Sequence, residues 1–186
     1  MPGRADTSQV FQLKVTLRGS KPPIWRRLQL RGSTTLPELH EILQIVMDWD
    51  DAHLHSFTAG GVEYGVPEPG GFDAMRSEKR TRLDRLVRNP KDRIRYEYDF
   101  GDSWDHDLVV EKVLPADPTV RYPVVLAGRR AAPPEDVGGI WGYAHFLQSL
   151  NDPADPEHEM YTEWIGGDFD PEAFDLDELN RALQRV

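Results

Sequence analysis

The sequence contains no cysteine, which excludes a disulfide framework and any thiolate metal site. No apolar run approaches the ~18 residues that a membrane span needs, and no signal-peptide pattern follows Met1. The expectation is a protein with no membrane contact, for which the cytoplasm is the default compartment. A phosphate-binding G-x-x-x-x-G-K loop and the H-E-x-x-H helix of zinc proteases are both missing. Positive charge is missing from one long stretch: Ala131 to Asn180 holds 13 Asp and Glu but no Lys or Arg.

What is present is ordinary in bulk. The chain has 186 residues, 39% of them hydrophobic and 29% charged, enough for one soluble α+β domain over 1–186 with a real core. Residues 1–8 read as a loose end. The net charge of −10 is unevenly spread, because Arg76 to Arg95 carries nine Lys and Arg against three Asp and Glu. Two readings follow. Either the basic and acidic blocks neutralise each other within the fold, or they form a basic face for nucleic acid beside an acidic face for a protein partner or cation. The acidic overall balance counts against non-specific DNA binding by the whole molecule.

The chain is organised around Tyr96 to Leu108, where two alternating runs meet at Gly101-Asp102. A two-residue loop would place Asp105 and Asp107 on the face of Tyr96 and Tyr98, burying carboxylates against aromatics. A three-residue loop, Gly101-Asp102-Ser103, shifts the register and flips the second strand. One face then carries Ile94, Tyr96, Tyr98, Phe100, Trp104, His106 and Leu108. The other carries Arg95, Glu97, Asp99, Asp105 and Asp107, with Asp99 opposite Asp105 and Glu97 opposite Asp107. Arg93 and Arg95 on that face offer partial neutralisation; a bound cation is the functional alternative.

Before the hairpin come strands near Val10–Arg18 and Ile24–Arg31. Arg26 and Arg27 point to opposite faces, and whichever is buried requires a partner, expected to be Asp99 or Asp102. A helix over 36–48 follows, with Thr35 and Glu38 forming a capping box and an apolar stripe from Leu36 to Met47. Strand–strand–helix–strand is a β-grasp-like opening, extended by the central hairpin into a mixed sheet with C-terminal helices over it. His53 and His55 share a strand face, so they are either the start of a metal site or two packed imidazoles. Residues 66–80 form a Pro- and Gly-rich loop. In Pro133-Pro134-Glu135-Asp136 the prolines stiffen the approach, so Glu135 and Asp136 either bind a ligand or cap the helix starting near Gly139.

Five motifs together resemble one family. They are Ile24-Trp25-Arg26-Arg27, His53-Leu54-His55-Ser56-Phe57, Tyr98-Asp99-Phe100-Gly101-Asp102-Ser103-Trp104-Asp105-His106, Pro133-Pro134-Glu135-Asp136-Val137-Gly138-Gly139 and Phe169-Asp170-Pro171-Glu172. They occur in the order seen in the root-inducing-plasmid third-open-reading-frame-like family (plasmid pRiA4b Orf-3-like). The resemblance implies a compact α+β fold carried by plasmids and insertion sequences, sometimes under a transposon-resolvase label. Many relatives have cysteines beside Pro-Pro-Glu-Asp, where this chain has Ala132 and Val137, so thiolate ligation at that loop is excluded here. Resolvase catalysis is not expected, because Ser8, Ser20 and Ser33 sit in no arginine cluster.

The functional expectation is a non-catalytic binding or accessory protein of plasmids and mobile elements, with a protein partner or the element's machinery as its contact. The alternative is a divalent-cation-dependent hydrolase. Candidate site residues are His53, His55, Asp99, Asp102, Trp104, His106, Glu135 and Asp136. Asp99, Asp102, Glu135 and Asp136 are the expected ligands of a hard cation, Mg²⁺ or Ca²⁺. Nucleic acid is a further candidate partner, through the Arg-rich segment 76–95.

Overall fold

The alternating runs near the start of the chain pair with each other in the computed structural model, which describes residues 9–67 and 75–185. β1 (Gln9–Leu17) and β2 (Trp25–Arg31) are antiparallel, with Leu13 opposite Leu28 and Val15 opposite Arg26. The loose end expected over 1–8, and residues 68–74 of the expected loop, lie outside the described residues.

Helix α1 (Leu36–Val46) begins as its sequence dictates. The Thr35 hydroxyl accepts from the Glu38 N–H, and the Glu38 carboxylate accepts from the Thr35 N–H at 2.7 Å. Two otherwise orphaned N–H groups are thereby satisfied, a contribution of about 1 kcal/mol for a good cap. Its stripe of Leu36, Leu39, Ile42, Leu43 and Val46 is fully buried.

β3 (His55–Ala59), β4 (Val62–Gly65), β5 (Arg76–Ser77), β6 (Arg93–Tyr98), β7 (Trp104–Pro115) and β8 (Val124–Arg129) complete the sheet. The order among described residues is β5-β4-β3-β6-β7-β1-β2-β8. Among the described residues only β4 and β5 are parallel, so the sheet is mixed as expected, and β6 and β7 lie between β1 and β3. The described residues form four further helices: α2 (Leu83–Leu86), α3 (Gly139–Asn151), α4 (His158–Ile165) and α5 (Leu176–Leu183). The inner face of the sheet contributes Phe11, Leu13, Leu28, Tyr96, Trp104 and Leu108 to one contiguous core shared with α1.

At the β8 edge the Asn180 side chain of α5 accepts from the Val125 N–H at 2.8 Å and donates to the Val125 carbonyl at 3.0 Å. One amide thus satisfies both main-chain groups of Val125 on the strand's outer edge. Nearby, Arg130 pairs with Glu172 at 2.7 Å and the Ala131 N–H donates to the Pro171 carbonyl, so the Asp170-Pro171-Glu172 motif fastens the C-terminal segment beside β8.

Two sequence expectations are corrected here. The central hairpin keeps the predicted parity but not the predicted loop: Tyr98 faces Trp104 and Glu97 faces Asp105, so the loop is residues 99–103. Asp99 ends β6 early because its backbone is left-handed (φ 57°) while its carboxylate accepts from the Gly101 and Asp102 N–H groups, an Asx-type turn. Phe100 therefore sits in the loop, 47% exposed, instead of on the core face. Three acids of the outer face are paired with arginines, Asp105 with Arg95, Asp107 with Arg18 and Glu111 with Arg27.

The second correction concerns the arginines. Arg26 is buried, but neither Asp99 nor Asp102 meets it. Its guanidinium donates to the backbone carbonyls of Val46, Trp25 and Arg129 at 2.9–3.1 Å and lies 5.1 Å over the Phe174 ring. Arg27 grips Glu111 with two bonds of 2.6 and 2.9 Å.

Candidate functional site

Three segments far apart in sequence meet at one end of the sheet: 49–54 after α1, the hairpin loop 99–103, and 133–139 before α3. Backbone contacts lock them together. The Asp99 N–H donates to the Leu54 carbonyl at 2.9 Å, and the Trp49 indole N–H donates to the Pro133 carbonyl at 2.9 Å. The Asp102 carboxylate accepts from the Gly138 N–H at 3.0 Å. Asp102 therefore braces the approach to α3, the task that Glu135 and Asp136 were candidates for. Gly139 (φ 68°) packs so closely that a Cβ there would lie 2.4 Å from the Asp102 carbonyl oxygen. Gly139→Ala is thus expected to cost about 2–4 kcal/mol by overpacking and backbone strain. Thermal melting checks this; an unchanged midpoint would show that the two loops do not depend on each other.

His53 stands at the centre of the junction. Its Nε2 is 2.8 Å from an Asp136 carboxylate oxygen and 3.7 Å from an Asp99 oxygen. One ligand atom from each of the three lies within 4.8 Å of the others. Both aspartates occupy left-handed backbone, φ 57° for Asp99 and φ 60° for Asp136. That conformation is uncommon for residues other than glycine, though Asp tolerates it better than most. Because one Asp99 oxygen is engaged by the loop amides, the other is left for His53 or an ion.

Glu135 turns away from this cluster. It accepts from the Tyr98 hydroxyl, which in turn accepts from the Ala52 N–H at 3.0 Å. Burial and then the Glu135 carboxylate hold the Tyr98 phenol well above its ordinary pKa, so it stays a proton donor. Trp49 stacks on Tyr98 with ring centres 5.1 Å apart. Of the four acids expected to share an ion, Asp99 and Asp136 converge, while Asp102 and Glu135 are committed to other partners. Trp104 and His106 lie in the core, 1% and 0% exposed.

His55 belongs to a second group. Its ring stacks on His40 with centroids 3.5 Å apart and planes 10° from parallel, and its Nε2 faces buried Glu78 at 3.0 Å. His40 Nε2 meets Asp51 at 2.7 Å. The protons here can be assigned from the network. The Gln44 side-chain oxygen accepts from the Asp51 N–H, so its amide nitrogen is the group donating to the Tyr96 hydroxyl at 3.0 Å. Tyr96 then donates to His40 Nδ1 at 2.8 Å, leaving the His40 proton on Nε2 toward Asp51. Burial, then the neighbouring imidazole, lowers the His40 pKa. Although His40, Asp51 and His55 are close enough to hold an ion, parallel rings aim their lone pairs side by side, and an imidazole binds metal in its own plane. One ion cannot take both without a ring rotating.

His40 and Glu78 escape the sequence reading, although His40 leaves a signal by interrupting the apolar stripe of α1 between Leu39 and Leu43. Asp48-Trp49-Asp50-Asp51, an acidic run at the unfavourable end of a helix, reads from sequence as either a site or a polar loop, with the loop favoured; the structure places Trp49 and Asp51 in the junction.

An α+β protein with an eight-stranded mixed sheet, and a His–Asp–Asp cluster where three loops lock together, is the class that this geometry defines. The chain belongs to the plasmid pRiA4b ORF-3-like protein family, whose model matches residues 9–178. It is 37% identical over 178 residues to the uncharacterized protein y4hQ of Sinorhizobium fredii (strain NBRC 101917 / NGR234), covering 95% of this chain and 91% of that one. It also resembles the crystal structure of MM3350, a protein of unknown function from Methanosarcina mazei Go1, with a TM-score of 0.84 and 40% identity. That match covers 92% of this chain and 97% of the other.

Proposed function

We propose that the protein is a non-catalytic binding module, an accessory of plasmids and mobile elements, whose loop junction takes a divalent cation between His53, Asp99 and Asp136. The observation that carries this reading is the placing of one imidazole between two carboxylates delivered by separate loops, both in a costly backbone conformation. Bringing two like charges together needs a compensating positive charge, which a cation supplies. One nitrogen and two oxygens suit Mn²⁺, Co²⁺ or Zn²⁺ better than the Mg²⁺ or Ca²⁺ expected for an all-oxygen set. A bound ion would tie segments 53, 99 and 136 into one rigid surface for a partner.

Calorimetric titration with Mn²⁺, Zn²⁺, Mg²⁺ and Ca²⁺ tests this directly. One equivalent of Mn²⁺ or Zn²⁺ should bind, and Asp99→Asn and His53→Ala should each weaken it at least about 10-fold, as loss of a direct ligand does. Absence of binding by all four ions, or binding unchanged in both variants, would refute the site.

A second reading is favoured by one feature. A cavity of about 210 Å³ beside the junction is lined by His40, Asp51, His53 and His55 together with Leu54 and Phe100. An ion at His53 would adjoin this polar cavity, where a water that it activates could reach a bound ester or phosphoester. Ion-dependent ester or phosphoester cleavage lost in His53→Ala would promote this reading over the first.

A further inference from the structure

The basic block of 76–95 and the acidic block of 131–180 do not neutralise each other. The ion pairs made by the basic block are local, Arg82 and Arg85 with Asp84 and Arg95 with Asp105. Arg76, Lys79, Arg80, Arg88, Lys91 and Arg93 are all exposed, and none has an ion-pair partner among the described residues. The acidic block in turn spends its pairs on Arg130, on His53 and on its own His145. Six cations without an ion-pair partner therefore lie within one short stretch of a protein of net charge −10, and Asp92, with Glu63 and Glu97 around Arg76, balances them only in part.

The backbone beneath them is firmly fastened. The Leu36 N–H donates to the Thr81 carbonyl, the Leu83 N–H to Thr34, the Asp84 N–H to Gly32, and Lys91 and Val110 are joined by the Lys91 N–H. Leu83 and Val87 are buried, which turns Arg82, Arg85 and Arg88 outward. The cations therefore project from a fixed frame, and most of them are arginines, whose planar forks match phosphate oxygens.

We infer that this segment binds the phosphate backbone of duplex nucleic acid without reading its sequence. The segment 76–95 contains no Phe, Tyr or Trp, so it lacks the stacking platforms on which single strands are held. No helix of eight or more residues carries the cations into a groove, so the contact is with backbone and not with base edges. The acidic remainder of the surface would repel the polymer everywhere else and orient the protein on it. The inference does not rest on the cation site, and its test is run in EDTA.

Fluorescence anisotropy with a random duplex of about 20 base pairs measures the effect. Binding in the micromolar range at about 50 mM salt should weaken at least about 100-fold by about 200 mM, as counterion release requires. The triple variant Arg80→Ala, Arg88→Ala, Arg93→Ala removes only exposed, unpaired charges, so its melting curve should match wild type. Its affinity should fall at least about 10-fold and its salt slope by about 3. No binding at low salt, or equal binding by the triple variant, would overturn the inference. So would equal affinity for polyglutamate, or a low-salt self-association lost in the same variant, which would assign the segment to the acidic block of a second copy.

Discussion

Arg26→Ala should lower the unfolding free energy by about 3–5 kcal/mol. The guanidinium is 3% exposed and its pKa is lowered to about 10 by burial. It has no carboxylate to strand. The cost arises instead from three carbonyls that lose their donor, on α1, β2 and β8, and from the void left beside Phe174. Arg26→Met fills the void but leaves the carbonyls bare, so it should recover less than half of the loss. Arg27→Ala, by contrast, breaks a half-exposed pair with Glu111 and should cost about 1 kcal/mol. Urea unfolding of the three variants decides the matter, and equal losses at positions 26 and 27 would contradict this account.

His106→Phe should remove part of the protein's sensitivity to mild acid. His106 is fully buried, its ring nitrogens lie near the Trp104 and Tyr96 backbone without a well-formed hydrogen bond, and burial pushes its pKa down to about 4. In the unfolded chain a histidine titrates near 6.5. Between those values the unfolded state binds the extra proton, so stability is complete above about pH 6.5 and falls by about 3 kcal/mol as the pH drops to about 4. His40, whose pKa is also lowered, acts in the same direction and leaves a smaller slope in the variant. At pH 7 the phenyl ring carries no polar atoms to desolvate, so stability should stay within about 1–2 kcal/mol of wild type. Denaturant midpoints measured from pH 4 to 7 check this; a slope as steep as wild type would place the acid-sensitive group elsewhere.

What could be read from the chain and what could not divide along sequence separation. The capping box of Thr35 and Glu38 is local chemistry, and α1 starts where it says. Side-chain parity across the hairpin is also local, and the aromatic face from Ile94 to Leu108 was legible, Phe100 excepted. The loop length was not, because it turns on whether Asp99 pairs in the ladder or folds back on its own following amides, and the alternation pattern fits both. Arg26 shows a deeper limit. Its residue type announced a buried charge, but its acceptors are main-chain carbonyls that every residue owns, so no side-chain pattern marks them. The site is long-range throughout. Asp99 and Asp136 are brought to His53 by contacts that run largely through backbone atoms and glycines, and only the assembled fold shows that Asp102 and Glu135 serve the frame.

The amide of Asn180 has a consequence for how this molecule meets others. By occupying both the donor and the acceptor of Val125, it interrupts the open row of groups on which an incoming chain would template a new strand. At the opposite border β5 is only two residues long, too short to seed an extension. Polymerisation by strand addition, the ordinary hazard of an open sheet, is therefore hindered at one border and starved at the other.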